Sequence, residues 1–373
     1  YLVSRNGDTH IETMGVRSIG GDDAVDERTL FRITSMCRPI TAAAIMTLIE
    51  ECVLRLDDPI DRWLPELADR KVLKTPDAAL DDVVPAKRPI TVRDVLTFRT
   101  GYGMSLAPAT TPFEKAVAAA KLVGFGPPDP TNPLTADAWL RALGALPLLH
   151  QPGERWMYNT ASSIGGVLVA RVSGMSLDAF FRARIFEPLG MMHTMFSASA
   201  EQRDYLTDAF MFNYKTGKID RYDAHDETSA WANPPAFQDG GAGLLSTIKD
   251  YARFAEMMLN YGKCGGQRIL SRASVELMTT DHITAEQKAV SPFFPNFWES
   301  CGWGFGMCVI TKRTELANVP GRFGWDGGFG TSWYSDPREC LTGILMTQVG
   351  LNAPDAQGML ADFWTLAYQA IDD

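Results

Sequence analysis

Residues 31–41 read Phe-Arg-Ile-Thr-Ser-Met-Cys-Arg-Pro-Ile-Thr, and this stretch decides the fold. Residues 30–33, which overlap its beginning, are predicted to form a short strand, and a helix is predicted to begin at or just after Thr34. Ser35 would then lie at the positive end of the helix dipole, which stabilises an alkoxide or an oxyanion. Residues three apart share a helix face, so Arg38 is expected beside Ser35. The simpler alternative is that Thr34 and Ser35 cap the helix and Arg38 is solvated.

A second segment, residues 152–160, reads Pro-Gly-Glu-Arg-Trp-Met-Tyr-Asn-Thr and precedes a predicted helix. A phenol such as that of Tyr158 acts as a general base only where positive neighbours stabilise the phenolate, because a free phenol keeps its proton at neutral pH. The alternative is a tyrosine packed at the entry to the helix, with its hydroxyl bonded to the backbone.

A third segment, residues 324–334, reads Gly-Trp-Asp-Gly-Gly-Phe-Gly-Thr-Ser-Trp-Tyr. Glycines followed by an aromatic strand indicate backbone that approaches another group closely and can offer N–H groups to an oxyanion. The alternative is a tight turn that leads into a sheet strand. Its aromatic residues could wall an apolar acyl pocket or be ordinary sheet residues, and both interpretations stay open for Trp325, Phe329, Trp333 and Tyr334.

Taken together and in this order, the three segments resemble the motifs of serine β-lactamases, penicillin-binding proteins and family VIII carboxylesterases. Residues 35–38 are similar to the S-x-x-K motif, and Tyr158 matches the Tyr of the second motif. The triplet Trp325-Asp326-Gly327 stands where many members have K-T-G, H-T-G or W-x-G. Three further stretches are also similar to family sequences: residues 56–59, 90–97 and 240–247. The resemblance runs from about residue 1 to about residue 350.

The resemblance implies a serine β-lactamase-like α+β fold, in which an antiparallel sheet built from both chain ends is flanked by helices. The whole chain, residues 1–373, is expected to form one unit. Residues 1–60 and 225–373 are predicted to form an α/β subdomain, and residues 61–224 a mainly helical subdomain, with the cleft between them.

Local patterns add three expectations about particular elements. The turn at residues 6–8, Asn-Gly-Asp, predicts a hairpin between strands at residues 1–5 and 9–19. Residues 303–310 are predicted to form one strand. The glycines at positions 240, 241 and 243 predict a flexible loop before a helix at residues 247–261.

The resemblance also implies roles for individual residues. Ser35 is expected to be the acyl-accepting nucleophile, with its own N–H and that of Gly328 as the oxyanion hole. Tyr158 is expected to share proton transfer with the lysine of the motif. The substrate would be a small ester, amide or β-lactam, and the residues expected to line its cleft are Asn159, Thr160, Trp325, Asp326 and Gly327.

Three departures from the family pattern bear on the chemistry. The lysine position is Arg38, which keeps a positive charge but does not lose its proton near neutral pH, so Tyr158 would act alone as the base. The Asn that class C β-lactamases carry two residues after the Tyr is here Thr160, with Asn159 one place early. Trp325 leaves no cation for the carboxylate of a β-lactam. These changes favour an ester over a β-lactam.

Three functional hypotheses remain open from the sequence. The leading one is a serine hydrolase with Ser35 as nucleophile, Tyr158 as base and Arg38 as electrostatic support. The second is a catalytically silent protein that keeps the binding cleft, because Arg38 replaces the lysine. The third, ranked below these, is a cell-wall peptidase or transpeptidase.

Composition limits the partners. The chain has 373 residues and a net charge of −10, which argues against nucleic acid or an anionic membrane surface as the main partner. No apolar stretch approaches the roughly 20 residues that span a bilayer. The 6 cysteines are scattered, which favours free thiols and a cytoplasmic location. Export stays open because residues 1–5 read as a strand already in progress. No metal, no organic cofactor and no particular oligomeric state is indicated.

Overall fold

A computed structural model describes residues 1–104 and 110–372 of the chain. The strands are β1 (Leu2–Arg5), β2 (Asp8–Ile11), β3 (Phe31–Arg32), β4 (Lys71–Leu73), β5 (Val83–Pro85), β6 (Ala209–Asn213), β7 (Lys218–Asp223), β8 (Leu245–Ser246), β9 (Lys263–Cys264), β10 (Gln267–Arg268), β11 (Cys301–Trp303), β12 (Cys308–Ile310), β13 (Phe323–Gly327), β14 (Thr331–Asp336) and β15 (Leu341–Leu345).

The α-helices are α1 (Cys37–Glu50), α2 (Val92–Leu96), α3 (Pro112–Ala119), α4 (Ala136–Gly144), α5 (Thr160–Ser173), α6 (Leu177–Phe181), α7 (Glu187–Leu189), α8 (Ala200–Arg203), α9 (Ile248–Leu259), α10 (Arg272–Met278), α11 (Ala285–Ala289), α12 (Phe297–Ser300) and α13 (Ala356–Gln369). A π-helical turn, Arg182–Phe186, joins α6 to α7. Short 3₁₀ turns lie at Thr34–Met36, Ile60–Arg62 and Pro65–Leu67.

The largest sheet is antiparallel and unites the two ends of the chain. Its strand order is β11-β12-β13-β14-β15-β1-β2, so the N-terminal hairpin pairs with β15 near the C-terminus. This arrangement confirms the predicted α+β fold class.

Helices cover both faces of this sheet. On one face α9 packs against β14, where the rings of Tyr251 and Trp333 lie 5.6 Å apart. On the other face α13 packs against β14 and β15, and Trp364 donates its indole N–H to Ser332 Oγ at 2.9 Å. Successive residues of β14 therefore point to opposite helical layers, as the period of a strand requires.

The stretch from residue 31 to residue 50 runs through the centre of the molecule. β3 pairs with the short β8 rather than with the large sheet, and α1 follows the 3₁₀ turn at residues 34–36. Twelve of the fourteen residues of α1 are buried, so this helix is core on all sides rather than amphipathic. Helix α5 approaches α1 closely at Gly165, where a Cβ would lie 3.2 Å from Ile45 Cδ1 and 3.3 Å from Thr41 Cγ2.

Several local predictions need correction. The second strand ends at Ile11 instead of Ile19, since residues 12–30 turn at Gly15 and Gly20, which have φ of 82° and 81°. The single strand predicted for residues 303–310 is two strands, β11 and β12, that reverse at Gly306 with φ of 71°. The predicted mainly helical part, residues 61–224, also holds the hairpins β4–β5 and β6–β7. The division into subdomains at residues 60 and 225 stays a prediction.

The glycine loop at residues 240–243 is buried, and its predicted flexibility stays a prediction. A Cβ on Gly240 would lie 2.8 Å from the carbonyl O of Ser162 and 2.9 Å from Thr41 Oγ1. Glycine is therefore needed here because the loop packs directly on α1 and α5.

All six cysteines are free thiols. Among the described residues, no single helix has both the length and the apolar composition to cross a bilayer, and only the bent pair Thr160–Ser173 and Leu177–Leu189 has them when taken together.

A buried ion pair holds the strand that leads into the turn at residues 34–36. Arg32 is fully buried, and its Nε donates to Asp223 Oδ2 at 2.9 Å. Its Nη1 donates to the carbonyl O of Thr207 at 2.6 Å, and its Nη2 donates to the carbonyl O of Ala224 at 2.8 Å. Strand β3 is thereby tied to the end of β7.

Replacing Asp223 by Ala should lower the free energy of unfolding by about 3–5 kcal/mol, because it leaves the buried guanidinium of Arg32 without its carboxylate. Urea-induced unfolding measures the change. Asp220→Ala, on the exposed part of the same strand, is the matched control and should change stability little. Equal stabilities of the two variants would contradict this account of the ion pair.

Candidate active site

Ser35 lies in the 3₁₀ turn immediately before α1 and is half-buried. The preceding residue, Thr34, has φ of 43°, a left-handed conformation that is unfavourable for a β-branched residue. Such strain persists only where the surrounding structure imposes it, and it is common at functional sites. Thr34 Oγ1 is also buried without a hydrogen-bond partner among the described residues.

Arg38 lies beside Ser35, as the helix spacing predicted. Its Nη2 donates to Ser35 Oγ at 3.3 Å, and its Nε donates to Tyr158 Oη at 3.1 Å. The side chain is buried, which excludes the alternative of a solvated arginine. Arg38 therefore bridges the two hydroxyl groups of the candidate site.

Among the described residues, the charge of Arg38 has no direct counter-ion. No carboxylate of the described part of the chain lies within ion-pair distance of it, and its neighbours are the rings of Tyr158 and Phe98, with centroids 4.5 and 5.8 Å from the guanidinium carbon. A buried positive charge without a carboxylate favours the anionic form of an adjacent hydroxyl group. The charge is thus available to stabilise an anion at Ser35 or at Tyr158.

Tyr158 receives two N–H donors on its hydroxyl oxygen. One is Arg38 Nε, and the other is the indole Nε1 of Trp325 at 2.7 Å. Because the phenol oxygen accepts both hydrogen bonds, Arg38 and Trp325 together fix its position in the site. The packing alternative, a hydroxyl bonded to backbone, does not describe this tyrosine. Trp325 therefore has a defined contact in the site, although it removes the cation of the family motif.

Asn159 and Thr160 hold the site together instead of facing a substrate. Asn159 accepts a hydrogen bond from Arg38 Nη1 on its backbone O at 2.8 Å and one from Nη2 on its side-chain Oδ1. Its unusual conformation, with φ of 91°, presents both oxygens to the same guanidinium. Thr160 is buried at the start of α5, and its hydroxyl donates to the carbonyl O of Gly124 at 2.9 Å. The prediction that these two residues line the cleft is corrected accordingly.

Gly327 brings the end of β13 against the turn that carries Ser35. A Cβ at this position would lie 2.5 Å from the carbonyl O of Ile33 and 2.7 Å from Thr34 Oγ1, closer than real contacts allow. The next residue, Gly328, is exposed, and its N–H has no acceptor among the described residues. A free N–H beside the nucleophile turn is what the predicted oxyanion hole requires.

Asp326 lies on the other side of the sheet. Its carboxylate accepts hydrogen bonds from Ser332 Oγ at 2.5 Å and Tyr334 Oη at 3.4 Å, and burial raises its pKa. The strand period explains this placement, because neighbours of Trp325 point to the opposite face. Asp326 is therefore not in the predicted cleft.

Of the aromatic residues predicted for an acyl pocket, only Trp325 contacts Tyr158. Trp333 is core against α9, and Tyr334 packs on Trp364 with centroids 5.4 Å apart. Phe329 packs against Tyr222 at 5.1 Å. For Trp333 and Tyr334, the interpretation as sheet residues is the better one.

A set of aromatic side chains that the sequence analysis missed adjoins Tyr158. Phe293 lies 5.0 Å from the ring of Tyr158, and Phe297 lies 6.1 Å from Trp325. We call Tyr158, Phe293, Phe297 and Trp325 together the aromatic wall. Phe293 and Phe297 are half-buried, so part of the wall faces solvent. The signal was present in the sequence, since residues 293–298 read Phe-Phe-Pro-Asn-Phe-Trp.

The remaining candidate groups do not compete with Ser35. Burial raises the pKa of the Cys37 thiol, and its sulfur accepts the N–H of Leu244 at 3.3 Å, so Cys37 is a packing residue. Within residues 1–104 and 110–372, no group of three or more His, Cys, Asp or Glu residues has a metal-binding arrangement.

The chain belongs to the Beta-lactamase family, whose model matches residues 1–361. The predicted family resemblance is thereby confirmed. Protein Rv1367c of Mycobacterium tuberculosis is 37% identical over 348 residues, which cover 91% of this chain and 82% of that protein. Esterase EstB of Burkholderia gladioli is 26% identical over 378 residues, which cover 95% of this chain and 87% of the esterase.

Solved structures give the same result for the fold. The chain resembles EstCE1, a hydrolase with promiscuous acyltransferase activity, with a TM-score of 0.77 and 25% identity over 98% of this chain and 92% of that one. It also resembles the LovD6 mutant of simvastatin synthase from Aspergillus terreus, with a TM-score of 0.78 and 21% identity over 99% of this chain and 91% of that one. At this identity, the second likeness concerns the fold alone.

Replacing Gly327 by Ala should slow the reaction of Ser35 with a fluorophosphonate by about 100-fold, the usual effect of losing one oxyanion donor. The added Cβ would push the end of β13, and with it Gly328, away from the nucleophile turn. Labelling rates followed by mass spectrometry measure the effect. Gly358→Ala is the control, because a Cβ there meets no atom within 4 Å. Equal labelling rates of the two folded variants would rule out this role for Gly327.

Proposed function

We propose that this protein is a serine hydrolase that forms an acyl-enzyme at Ser35 and acts on small neutral esters. The observation that carries the proposal is the bridge made by Arg38, which donates to Ser35 Oγ and to Tyr158 Oη at 3.3 and 3.1 Å. The positive charge of Arg38 is thus in contact with both the proposed nucleophile, Ser35, and the proposed base, Tyr158. The esterase activity in the name of the relative EstB agrees with this proposal.

The proposed reaction has two steps. In the first, the phenolate of Tyr158 takes the proton of Ser35 Oγ as this oxygen attacks the ester carbonyl carbon. The N–H groups of Ser35 and Gly328 stabilise the oxyanion, and the departing alkoxide takes the proton from Tyr158. In the second, water attacks the acyl group and gives its proton to Tyr158. The bond between the acyl carbon and Ser35 Oγ breaks, Oγ takes that proton from Tyr158, and a carboxylic acid leaves, which restores the starting state of both residues.

The contacts of the site favour a neutral ester over a β-lactam. Trp325 stands in place of the cation that pairs with a β-lactam carboxylate, and its N–H is already bonded to Tyr158. Thr160, which replaces the amide-binding Asn of class C enzymes, is buried and bonded to Gly124. The aromatic wall adds apolar surface for an acyl or alcohol group. A small molecule is therefore the proposed partner, and a cell-wall peptidase stays the lower-ranked hypothesis.

A second candidate function is a silent protein that only binds ligands in the cleft. It is favoured by one observation, that the position of the motif lysine holds an arginine, which cannot serve as a base. Its weakness is that Arg38 is not free to bind a ligand anion strongly. Four hydrogen bonds tie its N–H groups to Ser35, Tyr158 and the two oxygens of Asn159.

Hydrolysis of p-nitrophenyl acetate and butyrate tests the leading proposal. The parent protein should turn over these esters, and Ser35→Ala should reduce the rate to background. Arg38→Lys should raise kcat, because a lysine keeps the positive charge and can also lose a proton. Circular dichroism of each variant is the control for folding.

If the parent protein is no more active than Ser35→Ala and does not react with a fluorophosphonate, the hydrolase proposal is wrong. A gain of turnover in Arg38→Lys under those conditions would support the silent binding protein, since only the base would then be missing.

Trp325→Phe tests the phenolate arrangement without emptying the site. The substitution keeps an aromatic ring but removes the N–H that lies 2.7 Å from Tyr158 Oη. We expect a loss of about tenfold in kcat, because a hydrogen bond to a charged group is worth about 1.5–3 kcal/mol. KM should change less than kcat. A kcat equal to that of the parent protein would show that this hydrogen bond does not support catalysis.

A further inference from the structure

A cavity lies on the face of the large sheet opposite to Trp325. It has a volume of about 510 Å³, and its lining includes Arg322, Asp326, Tyr334, Asn318 and Trp364. We call it the rear cavity. Its size falls within the range of about 300–1,000 Å³ that is usual for small-molecule sites. Phe297 of the aromatic wall also lines the rear cavity, whereas none of the five residues named here forms a hydrogen bond with Ser35, Arg38 or Tyr158.

Arg322 lines the rear cavity with most of its donors unused. The side chain is only 4% exposed, and its Nη1 donates to the carbonyl O of Ala317 at 2.6 Å. Its Nε is buried and has no hydrogen-bond partner among the described residues. Its Nη2 likewise has no acceptor in the part of the chain that the structure describes. The guanidinium stacks on aromatic rings, 3.9 Å from the centroid of Trp364 and 4.2 Å from that of Tyr334.

A comparison with Arg32, which is also buried, shows which acceptors Arg322 lacks among the described residues. Arg32 has a carboxylate, Asp223, and backbone carbonyl groups as acceptors. Arg322 has no carboxylate within 4 Å among the described residues, although both side chains are removed from water. Burial of a charge without a partner is unfavourable, so the free edge of Arg322 calls for an acceptor that this chain does not supply.

We propose that the rear cavity binds a small ligand through a carboxylate group, which Nε and Nη2 of Arg322 hold with two parallel hydrogen bonds. These two nitrogens form one edge of the guanidinium, and this edge matches the two oxygens of a carboxylate. The bond from Nη1 to Ala317 fixes the plane of the group and leaves that edge free. The ring of Trp364 supplies an apolar surface for the body of the ligand.

One anionic group already stands in the rear cavity. The carboxylate of Asp326 already accepts hydrogen bonds from Ser332 Oγ and Tyr334 Oη, and burial raises its pKa. Glu299 and Glu315 lie at the exposed rim, where solvent and salt screen their charges. Binding in the rear cavity does not depend on whether Ser35 is catalytically active.

Calorimetric titration of the full chain with sodium benzoate tests the proposal, with benzamide as the neutral isostere. We expect saturable binding of one benzoate and no saturable binding of benzamide. Arg322→Gln should weaken benzoate binding at least tenfold. Arg322→Lys, which keeps the charge but not the two-donor edge, should weaken it to a smaller extent. Arg313→Gln, an exposed arginine outside the cavity lining, is the matched control and should bind as the parent does.

A crystal soaked with 4-bromobenzoate gives a second readout that does not depend on a variant that folds. An anomalous bromine peak in the rear cavity, with the carboxylate against Arg322, is the expected result. The proposal is overturned if the peak lies only in the cleft at Ser35 or is absent, or if folded Arg322→Gln and Arg322→Lys bind benzoate as tightly as the parent.

Discussion

A buried guanidinium, which has no carboxylate partner in residues 1–104 and 110–372, holds the two hydroxyl groups of the site together. Arg38 donates to Ser35 at the start of α1 and to Tyr158 just before α5, so it joins the two central helices at their N-terminal ends. Asn159 supplies two oxygen acceptors for the guanidinium, because a buried charge is costly unless its N–H groups are hydrogen-bonded. The close packing of α1, α5 and the glycine loop leaves the guanidinium no route to solvent, which keeps it between the two hydroxyls.

This arrangement separates two tasks that a lysine performs in related enzymes. An arginine supplies the positive charge and the hydrogen bonds but not the exchange of a proton. In the proposed reaction, proton transfer then falls to Tyr158, whose oxygen receives a second donor from Trp325. The same tryptophan removes the cation expected for a charged substrate, and it joins the aromatic wall. One substitution in the family motif thus bears on both the base and the choice of a neutral ester.

Close backbone approach is the other constraint. Strand β13 reaches the nucleophile turn only because Gly327 has no Cβ. In this turn Thr34 adopts an unfavourable left-handed conformation with φ of 43°. The strand also separates two environments, since Trp325 faces Tyr158 while Asp326 faces the cavity that Arg322 lines. Two consecutive residues of one strand therefore face the candidate active site and the rear cavity.

The sequence by itself determined the family, the α+β fold class and the neighbourhood of Ser35 and Arg38, because helix spacing and motif order are local properties. It also predicted the N-terminal hairpin from Asn6 and Gly7. Only the tertiary structure decided that Asn159 holds Arg38, that Asp326 points away from the cleft, and that Phe293 adjoins Tyr158. These contacts join residues more than a hundred positions apart or depend on which face of a strand is turned inward, and neither is written in local spacing.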